Sequence, residues 1–450
     1  MGARVAVVRG PALALGLLIP ALALASLIPA IALAQVQPTA RQWTTPSGAR
    51  VQFVESRAVP MVDIAVDFAA GSAYDPPAKQ GTAALTHALL NAGAADLSED
   101  ELAAAYADVG AIPGGTIDRD RASLQLRTLS SAAELRRAVA GFATMVQRPA
   151  FPPAAFERER ARLGARYRED DVQPGPLADR RFYAGLYGGH PYGRMATAET
   201  VSAVEREDVL RFHRGHYSAD RVVVTILGDL SVDAAREIAA QLTAALPPRG
   251  NGAAVPPVVP PPRAERIVVP HSAQQAHVRV GLPALARTDP DYFPLLVGNY
   301  VLGGGGFVSR LTRDIRDERG YAYSVYSYFL PLARPGPFQV GLQTRRDQAE
   351  AALARVRVVV AEFLAHGPTD QELADAKASL AGGFPLRIDS NRKLLNEWAI
   401  IGFYRLPETW LADFPREIER VTAADVRAAF TRHVRPERFV TVVVGADEGK

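Results

Sequence analysis

VEREDVLRFHRGHYSADRVVVTILGD (204–229) and VTAADVRAAFTRHVRPERFVTVVVGAD (421–447) are two copies of one unit, aligned without a gap over most of their length. Val204 and Val421, Asp208 and Asp425, Val209 and Val426, His216 and His433, Arg221 and Arg438, Val223 and Val440, and Gly228 and Gly445 coincide at a constant offset. In each copy, apolar residues at helical spacing lead into a turn and then a β-branched run ending in Gly, which reads as amphipathic helix, turn and strand. Finding the unit near the end of each half of one chain points to duplication of an α+β module.

Working outward, LPPRGNGAAVPPVVPPPR (246–263) separates the halves with clustered Pro and Gly that oppose regular structure. The expected division is 35–245, a Pro-rich linker at 246–264, and 265–450. In the first half, alternating Val51–Ser56 and Val62–Phe68 predict adjacent strands, and helical patterns follow at Thr82–Ala92 and Glu99–Val109. Ser98 with Glu101 forms a capping box, and Gly110 suits a left-handed helix exit. Ser131 with Glu134 and Thr369 with Glu372 mark two further helix starts. The expected fold is α+β: two related rolls, each a mainly antiparallel sheet with helices layered on one face.

Composition narrows the function classes. Hydrophobic residues make up 48% and charged residues 22% of the 450, a balance that a disordered chain does not have. The 51 basic and 48 acidic residues give a net +3, which supplies no general electrostatic case for nucleic acid. The absence of Cys excludes disulfides, thiolate metal sites and thiol nucleophiles together. Arg4 and Arg9 precede an apolar run from Pro11 to Ala34 that ends in Ala32-Leu33-Ala34, which reads as a signal peptide over 1–34 and predicts export, to a bacterial periplasm. An uncleaved membrane anchor is the other reading of the same run.

Without Cys, a metal site would need His and carboxylates. Of eight His, His213 and His216 alone stand at helical ligand spacing. His216 recurs as His433 in the repeat while His213 corresponds to Phe430, so the pair reads as structural. No G-x-S-x-G elbow is present. Gly303-Gly304-Gly305-Gly306 is followed by Phe307-Val308-Ser309 where a phosphate loop requires Lys and Ser or Thr. A hinge or a close backbone approach, to a substrate at Gly303, Gly304 and Gly305 among other possibilities, is the remaining reading.

The two halves, their Pro-rich connection, HPYG (190–193), the repeated ending and LGGGGFVSRLTRDIRDERGYAYSVYS (302–327) together resemble the pitrilysin/insulinase family of zinc peptidases. That resemblance implies two related rolls enclosing a chamber. It also implies an inverted H-x-x-E-H motif, in which two His and a distal Glu hold zinc while the intervening Glu activates the bound water. This sequence departs from the pattern there. GTAALTHALLNAGA (81–94) places Ala84 and Ala88 at the two His positions and His87 at the position of the base. ERERARLGARYRED (157–170) places Glu159 at an auxiliary acidic position and Arg166 at the distal ligand. No metal or other cofactor is therefore expected in this chain.

In family members that work in pairs, the resemblance implies that one chain holds zinc and the other presents an Arg and a Tyr seven residues apart. Arg316 and Tyr323 have that spacing, with a helix expected at Leu311–Arg319, Gly320 ending it, and a strand at Tyr321–Phe329. Tyr321, two residues earlier and so expected on the same strand face as Tyr323, is the competitor for the role. The expected function is that of a non-metal subunit, active with a homologous H-x-x-E-H zinc subunit on peptide or unfolded-protein substrates. A catalytically inactive peptide-binding or assembly protein of the same fold is the alternative.

Overall fold

The computed structural model describes residues 39–446, and the leader expected at 1–34 lies outside the described residues. The first half contains β1 (Arg41–Thr44), β2 (Arg50–Glu55), β3 (Met61–Phe68), a small ribbon of β4 (Gly93–Ala94) and β5 (Leu97–Ser98), β6 (Ile112–Ile117), β7 (Ala122–Leu129) and β8 (Val222–Gly228). The second half contains β9 (Glu265–Val269), β10 (Gln275–Leu285), β11 (Ala322–Phe329), β12 (Gly336–Arg345) and β13 (Val440–Val444). Apart from the ribbon, they form a six-stranded sheet ordered β1-β2-β8-β3-β7-β6 and a five-stranded sheet ordered β11-β12-β10-β13-β9. All pairs are antiparallel except β2 with β8 and β9 with β13. This is the expected mainly antiparallel α+β class.

The strands expected at 51–56 and 62–68 form but are not neighbours, because β8 lies between them. Every residue of β8, VVVTILG, is buried. An apolar run without polar alternation must be covered on both faces, so it takes an interior place in the sheet and displaces the simple hairpin.

The helices of the first half are α1 (Thr82–Leu89), α2 (Glu99–Ala107), α3 (Ala132–Gln147), α4 (Pro153–Val172), α5 (Pro174–Tyr187), α6 (Ala198–Ser202), α7 (Arg206–His216) and α8 (Val232–Thr243). Those of the second are α9 (Tyr292–Asn299), α10 (Ala349–His366), α11 (Asp370–Gly382), α12 (Asn391–Tyr404), α13 (Trp410–Arg420) and α14 (Ala423–His433). The capping boxes at Ser98 and Thr369 form, and Gly110 takes a φ of +62° at the left-handed exit. At Ser131 the hydroxyl meets the Glu134 carboxylate instead of a backbone N–H. α1 and α2 end two or three residues earlier than their periodicity predicts.

The duplication reaches further than the sequence repeat. α3 and α10, α4 and α11, α5 and α12, and α7 and α14 start at 132 and 349, 153 and 370, 174 and 391, and 206 and 423, an offset of 217 throughout. α1 and α9 start at 82 and 292, an offset of 210.

Equivalent helices are exchanged between the halves. On β3, Val62, Ile64, Val66 and Phe68 face the core of the first half, while Ala65, with Val54 and Leu227, joins the core of the second beneath α12. Reciprocally, Ala178, Phe182 and Leu186 of α5 pack on Val440, Val442 and Val444 of β13. The expectation of helices on one face therefore holds within each half, and the other half's helix covers the second face. Close approach depends on one Gly in each helix. A Cβ on Gly185 would lie 2.7 Å from Val440 Cγ1, and one on Gly402 would lie 2.4 Å from Gln52 Nε2 and 2.9 Å from Val223 Cγ1.

Gly402→Ala should thus destabilise the protein by about 1–3 kcal/mol through overpacking. The roughly 0.5–1 kcal/mol that Ala gains over Gly in a helix interior is too small to reverse that. Urea unfolding decides the matter, and a more stable variant would show that this contact is not tight.

The Pro-rich segment joining the halves is docked rather than free. Val255 is buried, Arg334 Nε donates to its carbonyl at 3.1 Å, and Arg221 Nη1 donates to Gly252 O at 2.6 Å.

Candidate functional site

Two regions carry the predicted site residues. The first surrounds α1. Gly81, at φ +104°, begins the helix, and both oxygens of Asp75 accept from its first turn, from Gly81 N at 2.8 Å and Ala83 N at 2.6 Å. Burial pushes the Asp75 carboxyl up to about 7. Ala84 faces a cavity of about 560 Å³ that Arg166 and Tyr167 of α4 also line. The alignment thus brings Ala84 and Arg166 to one place.

His87 goes elsewhere. Its Nε2 meets Ser123 O on β7 at 3.0 Å, and burial lowers its pKa. Ala88, expected at the position of the second ligand, is half-buried and has no donor atom. Arg166 keeps 73% side-chain exposure, with its nearest acid, Asp170, 4.0 Å away. Glu159 is held instead by Arg162 at 2.6 Å and Arg158 at 3.4 Å.

This donor set does not fit zinc. Two Ala offer no ligand, the only His of the motif is turned to the sheet, and α4 presents a guanidinium. Among the described residues, Asp289, Asp291 and His433 lie close enough together to hold a metal ion. Arg432 already occupies both oxygens of Asp291, at 2.8 and 2.7 Å, and His433 Nε2 meets it at 2.9 Å.

His213 and His216 share no site. The His213 ring stacks on Tyr217 at 4.7 Å and meets Phe151 at 5.3 Å, whereas His216 packs on Phe212 and Tyr74. Burial lowers both to about 4. A His whose folded pKa is depressed binds its proton in the unfolded chain first. Its stabilisation is therefore present above about pH 6.5 and is lost as the pH falls towards 4. His213→Phe, the residue found at the equivalent position 430, should flatten the acid limb of a stability–pH profile by up to about 1.4 kcal/mol per pH unit. An unchanged limb would place the acid sensitivity in other groups.

The second region surrounds Arg316 and Tyr323. The helix expected at Leu311–Arg319 is present but wound as π over Thr312–Glu318, and Gly320 ends it at φ +64°. Such wide turns recur at functional sites. This one is tied to α10, where Arg355 meets both oxygens of Asp314 at 3.1 and 2.6 Å, and Arg319 meets Asp314 at 3.2 Å. The Arg355 contact holds the Asp314 carboxyl below the usual range.

Across the turn, β11 pairs Ala322 with Thr344 and Ser324 with Gln343, so Tyr323 is the extra residue of a β-bulge. Bulges break the two-residue alternation and re-aim a side chain. This corrects the expectation that Tyr321 and Tyr323 share a face. Tyr321 packs against the core, and Tyr323 is 86% exposed. The Tyr323 hydroxyl makes no hydrogen bond within the described chain.

The Arg316 guanidinium lies 4.7 Å from the Phe307 ring centre and 5.2 Å from that of Tyr323. Phe307 and Val308 are 73% and 60% exposed, and the pocket bordered by Phe307, Arg316 and Tyr323 measures about 220 Å³. Phe307 was not a sequence candidate, although an aromatic directly after four Gly was its signal. The Gly run itself packs tightly on its own chain. A Cβ on Gly303 would meet Ser327, on Gly304 Asn299, and on Gly305 Tyr300, so the close approach is to the chain itself. Gly306 is the one that faces the pocket.

With this geometry in place, comparison with known proteins adds the following. The family model "Insulinase (Peptidase family M16)" matches residues 50–198, and "Peptidase M16 inactive domain" matches 203–380. A Streptomyces coelicolor protein named an uncharacterized zinc protease is 29% identical over 423 residues, covering 90% of each chain. A Helicobacter pylori protein named a non-peptidase homolog is 26% identical over 404 residues, covering 88% of this chain and 91% of its own. The crystal structure of a peptidase M16 inactive domain from Pseudomonas fluorescens is 36% identical, with a TM-score of 0.87 over 91% of this chain and 98% of that one.

Proposed function

The chain belongs to the M16 (insulinase) peptidase family, and we propose that within it this protein is the metal-free subunit of an exported heterodimeric zinc peptidase. A related chain with an intact H-x-x-E-H motif supplies the zinc and the activated water. This chain closes the chamber, holds the peptide and presents Arg316 and Tyr323 to the scissile carbonyl. One observation carries the reading: a chain with Ala84, Ala88 and Arg166 where the family resemblance expects metal ligands keeps Tyr323 exposed, without a hydrogen-bond partner among the described residues, and stacked beside Arg316.

The role of each group follows from its chemistry. The Tyr323 O–H donates a hydrogen bond to the carbonyl oxygen as it gains negative charge, and Arg316 adds positive charge while its stacking fixes the ring. Substrate is held in extended form by pairing to a sheet edge. The outer strand β6 suits this, since Ile112, Gly114, Gly115 and Thr116 are exposed along it and its end, Ile117, lines the cavity beside Ala84. Export rests on the expected leader.

The test is co-expression with an H-x-x-E-H relative followed by a peptidase assay. Activity that appears only in the complex and depends on Arg316 and Tyr323 supports the reading. A complex indifferent to both residues would favour the second reading, a peptide-binding or assembly protein without chemistry, to which the name of the Helicobacter pylori relative lends weight.

A further inference from the structure

The 560 Å³ cavity beside Ala84 is lined by five Arg (119, 121, 166, 194 and 287) against three Asp (75, 118 and 170), and most of the Asp charge is already engaged. Arg121 meets Asp118 at 3.0 Å and Asp67 at 3.3 Å. Asp75 gives both oxygens to backbone N–H groups of α1. Asp170 is 4.0 Å from Arg166.

Among the described residues, three of these cations have no carboxylate partner. Arg119 Nε donates to Tyr192 O at 3.3 Å, and its guanidinium lies 3.7 Å above the Tyr183 ring. Arg194 donates twice to Gly189 O, at 3.0 and 2.7 Å. Arg287 lies 5.4 Å from the Tyr404 ring, and its buried Nε has no partner among the described residues. Among the described residues, none of the three has an acidic oxygen within 4.0 Å. Leu330, Leu332 and Ile400 add apolar wall, which strengthens electrostatic attraction by excluding water. Cations set in such a wall call for an anion, and the planar guanidinium fork matches a carboxylate.

We propose that this cavity binds a carboxylate carried by an extended peptide, with Arg287 and Arg194 as its chief partners and Arg119 and Arg166 as supporting charges. The identification of the ligand as a peptide rests on the proposed function, whereas the surplus of cations does not. β6 provides the route, because Ile117 and Asp118 at its end open into the cavity. The carboxylate is either the α-carboxylate of a peptide's C-terminus or an Asp or Glu side chain.

Isothermal titration of the whole mature chain, without any partner subunit, with matched peptides tests this and separates the sources. A free-acid peptide binding at least about tenfold more tightly than its C-terminal amide identifies the α-carboxylate, and the same preference for an internal Glu over Gln identifies the side chain. Either preference should be lost in Arg287→Gln and in Arg194→Gln and kept in the exposed control Arg392→Gln. Arg287→Lys, which retains charge without the fork, covers the case in which Arg287→Gln fails to fold, and it should weaken binding by a smaller factor. Inorganic phosphate should compete in each case. Equal affinity for acid and neutral peptides, or full affinity in folded Arg287→Gln and Arg194→Gln, would overturn the proposal. Because this readout uses one chain and no turnover, its failure is distinguishable from failure of the heterodimer reading.

Discussion

Tyr323→Phe in the proposed heterodimeric peptidase is expected to lower kcat by about two to three orders of magnitude, the cost of one oxyanion donor, or roughly 2.7–4 kcal/mol. Phe keeps the ring, so the contact with Arg316 and the bulge both survive and only the hydroxyl is lost. Among the described residues that hydroxyl has no hydrogen-bond partner, so its removal leaves no buried group unsatisfied. The loss should therefore appear in turnover and not in assembly or stability.

Arg316→Ala should also lower kcat, with a different signature. Its guanidinium lies within about 5 Å of both the Phe307 and Tyr323 ring centres, so truncation removes the charge and the stacking that orients Tyr323. Arg316→Lys restores the charge without the planar stack and should recover part of the rate. The measurement is kcat at saturating peptide, with gel filtration confirming that each variant still pairs with the proposed H-x-x-E-H partner. An assembled Tyr323→Phe complex turning over at the parent rate would remove Tyr323 from the chemistry.

The parts of this architecture that were legible in sequence are those where local chemistry and long-range packing make the same demand. α7 with β8 and α14 with β13 could be matched by eye because the turn between helix and strand and the β-branched run survive in both copies. From α3 to α5 and α10 to α12 the 217-residue offset continues, but what persists is mainly the burial period. Val139 with Val356, Leu177 with Leu394, Gly185 with Gly402, and Tyr187 with Tyr404 are isolated coincidences in segments that otherwise differ. α1 and α9 stand at another offset, so a gap-free comparison misses them.

At the candidate site, the Arg316–Tyr323 spacing was visible while the bulge that exposes Tyr323 was not. Nothing in YAYSVYS departs from ordinary strand chemistry, and the extra residue is defined only against β12. The cation surplus was equally hidden. A nearly neutral total averages over Arg residues that are far apart in the chain, four from the first half and Arg287 from the second, and that meet only in the folded molecule.

Asp120 shows how much of that closure can depend on one acid, and Asp120→Ala is expected to destabilise the protein by about 3 kcal/mol or more. The residue belongs to the first half, sits in the turn between β6 and β7, and is 1% exposed. Its Oδ1 accepts from the Tyr192 hydroxyl. Its Oδ2 accepts from Ala333 N at 2.7 Å and from the Tyr404 hydroxyl at 2.9 Å, both in the second half. Tyr192 Oη in turn accepts from Arg334 N at 3.2 Å. Burial is the largest influence on the Asp120 carboxyl and raises its pKa despite these donors.

Removing the side chain strands several donors in a buried place, at roughly 1–3 kcal/mol each where water cannot replace the acceptor. Asp120→Asn is the discriminating control. Its carbonyl oxygen can still accept from both Ala333 N and Tyr404, and the rotatable Tyr192 hydroxyl can turn to accept from the new amide. Asn should therefore cost much less than Ala. Urea unfolding followed by separate probes in the two halves provides the measurement, with Ala expected to lower the midpoint and pull the two transitions apart. If Asn and Ala are equally destabilising, charge rather than bridging is what Asp120 contributes. If neither has an effect, the exchanged helices α5 and α12 hold the halves together without it.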